Sequence, residues 1–306
     1  MQDLHILPKL RDSLTYLYIE HAIIEKQDNA LLVLQETGRT AVPIANLSLL
    51  MLGPGTSLTH AAMKILAENG CSVLWTGEDI QRFYAQGLGE TRRAYHLLRQ
   101  AELATNSTSR LQIVYRMYEK RFCRRLPSDI DIETIRGMEG VRMRTAYQDA
   151  SRIFGVRWGG RKYDRSNWTN SDPINRSLSA ANALLNGLCH AAIVSGGYSP
   201  ALGFLHTGKQ LSFVYDIADL YKVEFTIPAA FETIASGIDD IEKRTRENCR
   251  ERFRIEKLLQ RILPDIDDLL GIKDMEEFQA DSDPAVPEAW WSPTEEEDEL
   301  ISESEG

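Results

Sequence analysis

Cysteine is scarce in this 306-residue chain: Cys71, Cys123, Cys189 and Cys249 lie far apart, and no two form a CxxC pair. That argues against a zinc ribbon or a disulfide scaffold and fits a reducing compartment. Long apolar runs are missing as well. The opening MQDLHILPKLRDS has no apolar core of signal-peptide length. The stretch 177–208 carries no Lys, Arg, Asp or Glu, but Asn182, Asn186, His190 and several Ser and Gly interrupt it. It never reaches about 18 consecutive apolar residues, so a buried helix followed by a loop is expected there and no membrane span. No phosphate-cradling GxxxxGK[ST] occurs, and no GxGxxG sits between a strand and a helix. A GxSxG elbow, an HExxH helix and internal repeats are also absent.

What is present is an uneven charge. The formal net charge is -10. Residues 265–306 hold 16 acidic residues against one basic, Lys273, which leaves the rest of the chain with 29 acidic and 34 basic residues. Within 82–176 there are 19 Lys or Arg and 10 Asp or Glu. A basic body of this kind attracts polyanions, and the acidic end can compete for the same surface or keep the protein in solution.

The hydrophobic period changes along the chain. LTYLYIE, ALLVLQ, TAVPI and LSLLML are short runs separated by turn-rich QDN, ETG and GPG, and CSVLWTG and QRFYAQG follow. This predicts a small, mostly antiparallel sheet with one helix over SLTHAAMKILAENG. From about Thr91 the period becomes 3.6, predicting helices over 91–104, 109–123, 132–154, 174–195, 211–222, 228–236 and 239–263. The fold class expected is α+β: a small N-terminal β domain (1–88), a larger all-α domain (89–271) and an acidic tail (272–306). The tail's acid, Pro and Ser suit a segment without structure of its own, yet Phe278, Trp290 and Trp291 are anchors that could order on a partner.

Three stretches carry chemistry. In 203–222, Asp216 and Asp219 stand at i, i+3 and share a helix face. Two like charges there repel unless a cation or an Arg or Lys bridges them. His206 lies ten residues upstream between glycines, where a loop can fold back. The set is either a site for Mg²⁺ or Mn²⁺ or a solvated acidic edge with a loop histidine. In RGMEGVRMR (136–144), Gly137 and Gly140 interrupt a helical pattern at about 1 kcal/mol each. Glu139 lies among Arg136, Arg142 and Arg144, either as an i, i+3 surface pair or as a metal ligand where a phosphodiester binds. RWGGRKYDRSNW (157–168) interleaves Arg161, Lys162 and Arg165 with Trp158, Tyr163 and Trp168. Such a segment can grip phosphates and stack on unpaired bases, or it can be a basic loop anchored by core aromatics.

The segments LGPGTSLTHAA (52–62), IRGMEGVRMRTAY (135–147), GRKYDRSNW (160–168) and GYSPALGFLHTGKQLSFVYDIADLYK (197–222) together resemble the integrase of CRISPR adaptation, the first core CRISPR-associated protein, in its type I-E variant. The resemblance spans roughly residues 10–265, and the last segment is long enough to carry it alone. It implies a β domain joined to an all-α domain. It further implies Mg²⁺ or Mn²⁺ held by Glu139, His206 and Asp219, with Asp216 as the accompanying acidic residue of the catalytic set. DNA contacts are implied at Lys64, Arg82, Arg136, Arg144, Arg161, Tyr163, Trp168, Lys209, Tyr215 and Arg246. An aromatic that splays DNA ends would fall among Tyr16, Tyr18 and His21, and Ser57 stands where close relatives often carry Arg. The implied reaction is a transesterification in which the 3′-hydroxyl of a captured DNA fragment attacks a phosphodiester at a CRISPR repeat border. Implied partners are double-stranded DNA with 3′ overhangs, repeat-leader DNA, a second copy of the chain and the small second core CRISPR-associated protein. The setting would be a prokaryotic cytoplasm. A general metal-dependent DNA nuclease and a non-catalytic DNA-binding scaffold are the rival readings.

Overall fold

The structure, a computed structural model, describes residues 15–45, 47–77, 83–87, 94–127, 129–161 and 172–272. All of these fall within one compact unit. Among the described residues eight strands come first: β1 Thr15–Ile19, β2 Ile23–Gln27, β3 Ala30–Gln35, β4 Gly38–Pro43, β5 Leu47–Leu52, β6 Ser57–Leu58, β7 Ser72–Thr76 and β8 Phe83–Gly87, with helix α1 (His60–Glu68) between β6 and β7. They form two four-stranded sheets, ordered β1-β5-β7-β8 and β4-β3-β2-β6.

The expectation of a mostly antiparallel sheet is corrected for the first of these. Its β1–β5 and β5–β7 pairs are parallel, and only β7–β8 is antiparallel. The reason lies in β5. Its LSLLML is apolar without alternation, as befits a central strand covered on both faces. Leu49 and Met51 point into the core shared with the helices, while Leu50 and Leu52 point into a second core with Ile24, Leu31, Val33, Ala62, Ile65 and Leu66. The link from β5 to its parallel neighbour β7 passes through α1, as parallel pairing requires. In the second sheet, β2–β3 and β3–β4 are the antiparallel hairpins that QDN and ETG predict.

The helical part follows as α2 (Ala94–Thr105), α3 (Ser107–Phe122), α4 (Ile132–Phe154), α5 (Pro173–Ser195), α6 (Ser212–Ala218), a single π-helical turn (Lys222–Thr226), α7 (Ile227–Ala235), α8 (Ile241–Ile255) and α9 (Leu258–Leu270). Side chains close the exposed N-termini of α3 and α4. Asn106 accepts from the Ser109 amide at 3.0 Å, and Asp131 accepts from the Thr134 amide at 2.8 Å. The helix predicted over 239–263 is two helices, because Lys257 takes a left-handed conformation (φ 49°) between α8 and α9.

Helix α5 is the centre of this half. Sixteen of its 23 residues are buried, so its length and apolarity serve the interior, as expected from the polar residues that punctuate it. It packs on α6, α7, α8 and α9 and reaches β5 and β7. One continuous apolar core thus runs from Leu49, Met51 and Leu74 of the sheet through α5 to Phe213, Phe225 and Phe253.

Candidate metal and nucleic-acid site

Helix α4 shows how the first carboxylate is placed. Its inward stripe runs Ile135, Glu139, Met143, Ala146, Ala150, stepping by three and four residues. Ile135 enters the large core, while Met143, Ala146 and Ala150 join a smaller core with α5 and α7. Glu139 interrupts this apolar stripe between the two cores, with 16% of its side chain exposed. A carboxylate held there requires counter-charge. Arg142 supplies it bidentately, donating Nε to Oε2 at 2.8 Å and Nη2 to Oε1 at 2.9 Å. The i, i+3 pair anticipated from the sequence therefore exists, but it is half-buried and not a surface ornament.

The second part is the loop between α5 and α6. Gly203 has to be glycine here, since a Cβ would lie 2.3 Å from the His206 carbonyl oxygen and 2.8 Å from Ser212. Gln100 and Arg110 pin the loop from outside, donating to the carbonyls of Ser199, Leu202 and Phe204. From inside it is gathered by Asp216, which is fully buried. Its Oδ2 accepts from the amides of Phe204 (2.6 Å) and Leu205 (3.0 Å), and its Oδ1 accepts from the amide of His206 at 2.9 Å. The His206 ring approaches the same Oδ1 through Nδ1 at 2.7 Å.

This last contact fixes the imidazole. An ionised carboxylate only accepts, so Nδ1 carries the proton and the neutral ring keeps its lone pair on Nε2. With 46% of the side chain exposed, His206 is a ligand-ready imidazole oriented by a buried carboxylate, a common arrangement behind metal-binding histidines. The Asp216 hydrogen bond is the leading cause that raises the His206 pKa, with partial burial opposing and the charges of Asp216 and Asp219 adding.

Asp219 closes α6 as its C-terminal cap. Its Oδ1 meets Lys222 Nζ at 2.5 Å, and its Oδ2 meets Arg121 Nη2 at 3.4 Å. The Arg121 Nη1 lies 3.6 Å from Glu139 Oε1. One guanidinium on α3 thus spans the carboxylates of α4 and α6, and Nη2 also donates to the Asp216 carbonyl at 3.4 Å. No cation bridges the carboxylates of Asp216 and Asp219 among the described residues: Asp216 is satisfied by loop amides and His206, and Asp219 by Lys222 together with this arginine, which joins it to Glu139. Sequence reasoning missed Arg121, because it stands in a run with Lys120, Arg124 and Arg125 and nothing marks it as the one that turns inward.

Among the described residues no three His, Cys, Asp or Glu side chains converge closely enough to hold a metal ion. The donor types, two carboxylates joined through a shared arginine and an imidazole on which Asp219 acts electrostatically, are ones that Mg²⁺ or Mn²⁺ takes. Asp216 is spent on the loop and on His206.

The structure divides the sequence-predicted DNA contacts. Arg136, Arg144 and Lys209 are exposed on or beside the elements that carry Glu139 and His206. Tyr215 is half-buried and packs edge-on against the His206 ring at 5.9 Å. Lys64 is exposed on α1, paired with Glu68 at 3.6 Å. Arg161 holds the start of α5 through Asn175 and Ser179. Arg246 is buried, with its charge felt by Glu242. Trp158 is a core anchor, stacked on Tyr147 at 4.5 Å and tilted against Phe231. Arg82, Tyr163 and Trp168 lie outside the described residues, as do Lys162 and Arg165. At Gly137 an added Cβ would meet nothing within 4 Å among the described residues, so their packing does not require this helix-weakening residue.

Two sheets joined through one core to a larger helical half, with a carboxylate–imidazole site carried by the helical half, define an α+β protein with an N-terminal β region and a helical C-terminal region. The profile of the family described as CRISPR associated protein Cas1 matches residues 15–124 and 116–257. The chain is 50% identical over 293 residues to the CRISPR-associated endonuclease Cas1 2 of Thermus thermophilus, covering 95% of this chain and 90% of that one. It is 39% identical over 280 residues to the CRISPR-associated endonuclease Cas1 of Escherichia coli, covering 91% and 90%. Among solved structures, a TtCas1–DNA complex superposes with a TM-score of 0.76 at 52% identity, covering 86% of this chain and 99% of that one. The chain belongs to the Cas1 family.

Proposed function

We propose that this chain is an endonuclease and integrase of CRISPR adaptation, in a type I-E-like system, that joins the 3′-hydroxyl ends of captured DNA to a CRISPR repeat by transesterification. The observation that carries the reading is the half-exposed His206 ring, held through Nδ1 by buried Asp216 and acted on by Asp219, which Arg121 joins to Glu139. Its relatives named as endonucleases and the DNA-bound structural neighbour support the same reading.

Glu139, His206 and Asp219 would hold Mg²⁺ or Mn²⁺, which when bound lowers the pKa of an attacking hydroxyl and offsets charge on the phosphate. The chain's own residues do the rest. Asp216 keeps the Nδ1 proton in place and the loop closed around it. Arg136, Arg144 and Lys209 offer positive charge to the phosphates. An exchange of one ester for another needs no nucleotide hydrolysis, in keeping with the absence of a phosphate-cradling loop. In this reading the chain would work in a prokaryotic cytoplasm as a homodimer, with the small second core CRISPR-associated protein. The acidic tail (residues 273–306 lie outside the described residues) would dock on that partner through Trp290 and Trp291.

Incubating the protein with Mg²⁺ or Mn²⁺, a 3′-hydroxyl duplex and a supercoiled plasmid bearing a repeat tests the reaction. Joined product is expected. Nicking without joining would establish a general nuclease, and binding alone a scaffold. Binding itself should depend steeply on salt. Duplex affinity is expected to fall by about a decade or more between roughly 50 and 200 mM salt, and Arg144→Ala should lower the slope of log K against log salt by about one. A flat response in a fluorescence-anisotropy titration would exclude the basic face as the DNA path.

A further inference from the structure

The geometry points to Arg121 as an internal counter-cation that competes with the divalent ion for Glu139 and Asp219, so that ion binding requires this guanidinium to let go. The inference rests on the metal reading above and adds a regulatory element to the same site.

Three features of Arg121 carry it. First, its position: Nη1 faces Glu139 Oε1 and Nη2 faces Asp219 Oδ2, carboxylate oxygens that an ion held by these two residues would draw on. Second, its contacts are long. At 3.4–3.6 Å they are looser than the 2.8 and 2.9 Å bonds of Arg142 to Glu139, and charge-assisted pairs at their optimum lie at about 2.7–2.9 Å. Third, the side chain is 5% exposed, yet its Nε has no hydrogen-bond partner among the described residues. A buried guanidinium with an unpaired donor is under-satisfied where it stands. It lies against the ring of Tyr118, with its central carbon 5.4 Å from the ring centroid. An aromatic face holds a cation without fixing its direction.

Charge balance points the same way. Among the described residues Glu139 and Asp219, two negative charges, are met by three cations, Arg121, Arg142 and Lys222, while Asp216 is held by loop amides and His206, which is neutral when it serves as a ligand. The cluster is already compensated, so an added divalent ion must either displace a cation or arrive with an anion. Among the described residues Arg142 is fastened to Glu139 bidentately and Lys222 reaches Asp219, whereas Arg121 alone bridges the two carboxylates. A DNA phosphate brings the missing negative charge and offers the released guanidinium a partner. Ion and DNA are then expected to bind with positive linkage.

The test measures Mn²⁺ binding to the full-length protein without DNA, by the electron paramagnetic resonance of free Mn²⁺. Wild type should bind weakly. Arg121→Gln should bind about tenfold more tightly or better, because removing a unit charge a few Å away is worth at least that much at a partly buried site. Arg121→Lys, which keeps the charge, should fall between. Affinity in Arg121→Gln equal to or below wild type, with Glu139→Ala still weakening binding, overturns the role of Arg121 and leaves the metal reading standing. Mn²⁺ binding that is indifferent to both Glu139→Ala and Asp219→Ala overturns both. Should Arg121→Gln fail to fold, the wild-type protein decides alone. The ¹⁵N–¹H resonance of Arg121 Nε is expected to shift on Mg²⁺ titration, and a resonance that stays in place at saturating Mg²⁺ overturns the proposal.

Discussion

Asp219→Ala is expected to lower strand transfer by about a thousandfold while leaving duplex affinity within about threefold of wild type. The two readouts separate because the residues serving them are separate. Asp219 reaches Arg121 and Lys222 on the inside of the site, whereas Arg136, Arg144 and Lys209, the residues proposed to meet phosphate, are exposed. Electrostatic stabilisation of charge that develops during reaction is worth about 10²–10³ for one well-placed group, and loss of a ligand removes the contribution of the ion as well. Glu139→Ala and His206→Ala should behave alike. Single-turnover joining assays at saturating DNA, with anisotropy for binding, distinguish the cases. Joining that survives in His206→Ala with Mg²⁺ present would remove the imidazole from the chemistry. Parallel loss of binding and joining would mean that these side chains hold the DNA and not the ion.

Much of this site was legible in the sequence because local periodicity encodes it. Glu139 falls on the helical stripe that otherwise reads Ile135, Met143, Ala146, Ala150, and a charge on an apolar stripe marks itself. Asp216 and Asp219 are neighbours on one face at any helix length, and the glycines around His206 announce a loop that can fold back. The change of period near Thr91 separates sheet from helix for the same local reason: β8 ends at Gly87 and α2 begins at Ala94.

What was not legible is long-range. The parallel pairing of β1, β5 and β7 depends on which strand becomes central, a matter of tertiary cover that a single run such as LSLLML hints at only by lacking alternation. Arg121 is 98 positions from Asp219, and Arg246 looks no different in sequence from an exposed arginine, yet both are buried. A charged residue turns inward only where a partner waits, and the partner comes from elsewhere in the chain. The same holds for Asp216 and Asp219. The spacing groups them, but only the folded loop assigns one to structure and leaves the other at the site.

That division predicts opposite consequences for two adjacent carboxylates. Asp216→Ala is expected to destabilise the protein by about 3–5 kcal/mol, the range for removing one side of a buried charged network. It strands the amides of Phe204, Leu205 and His206, which have one shared acceptor, and each buried donor without a partner costs about 1–3 kcal/mol. For a domain of this size the melting temperature should drop by about 10 °C, whereas His206→Ala, in a half-exposed side chain, should move it by only a few degrees. Asp216→Asn keeps an acceptor and should recover part of the loss. The His206 pKa, raised chiefly by its hydrogen bond to Asp216, should fall toward the ordinary histidine value of about 6.5 once that carboxylate is gone. The sign of the pH dependence follows. A histidine whose pKa is raised by folding contributes stability below its unfolded value and loses it as pH rises through the folded one. The imidazole's share of the gap between wild type and Asp216→Ala therefore shrinks with rising pH, while the share carried by the three amides stays. Denaturant unfolding across that range, with amide hydrogen exchange at residues 204–206, measures both shares. A variant as stable as wild type with those amides still protected would show that the loop does not hang on Asp216, and the placement of His206 would need another cause.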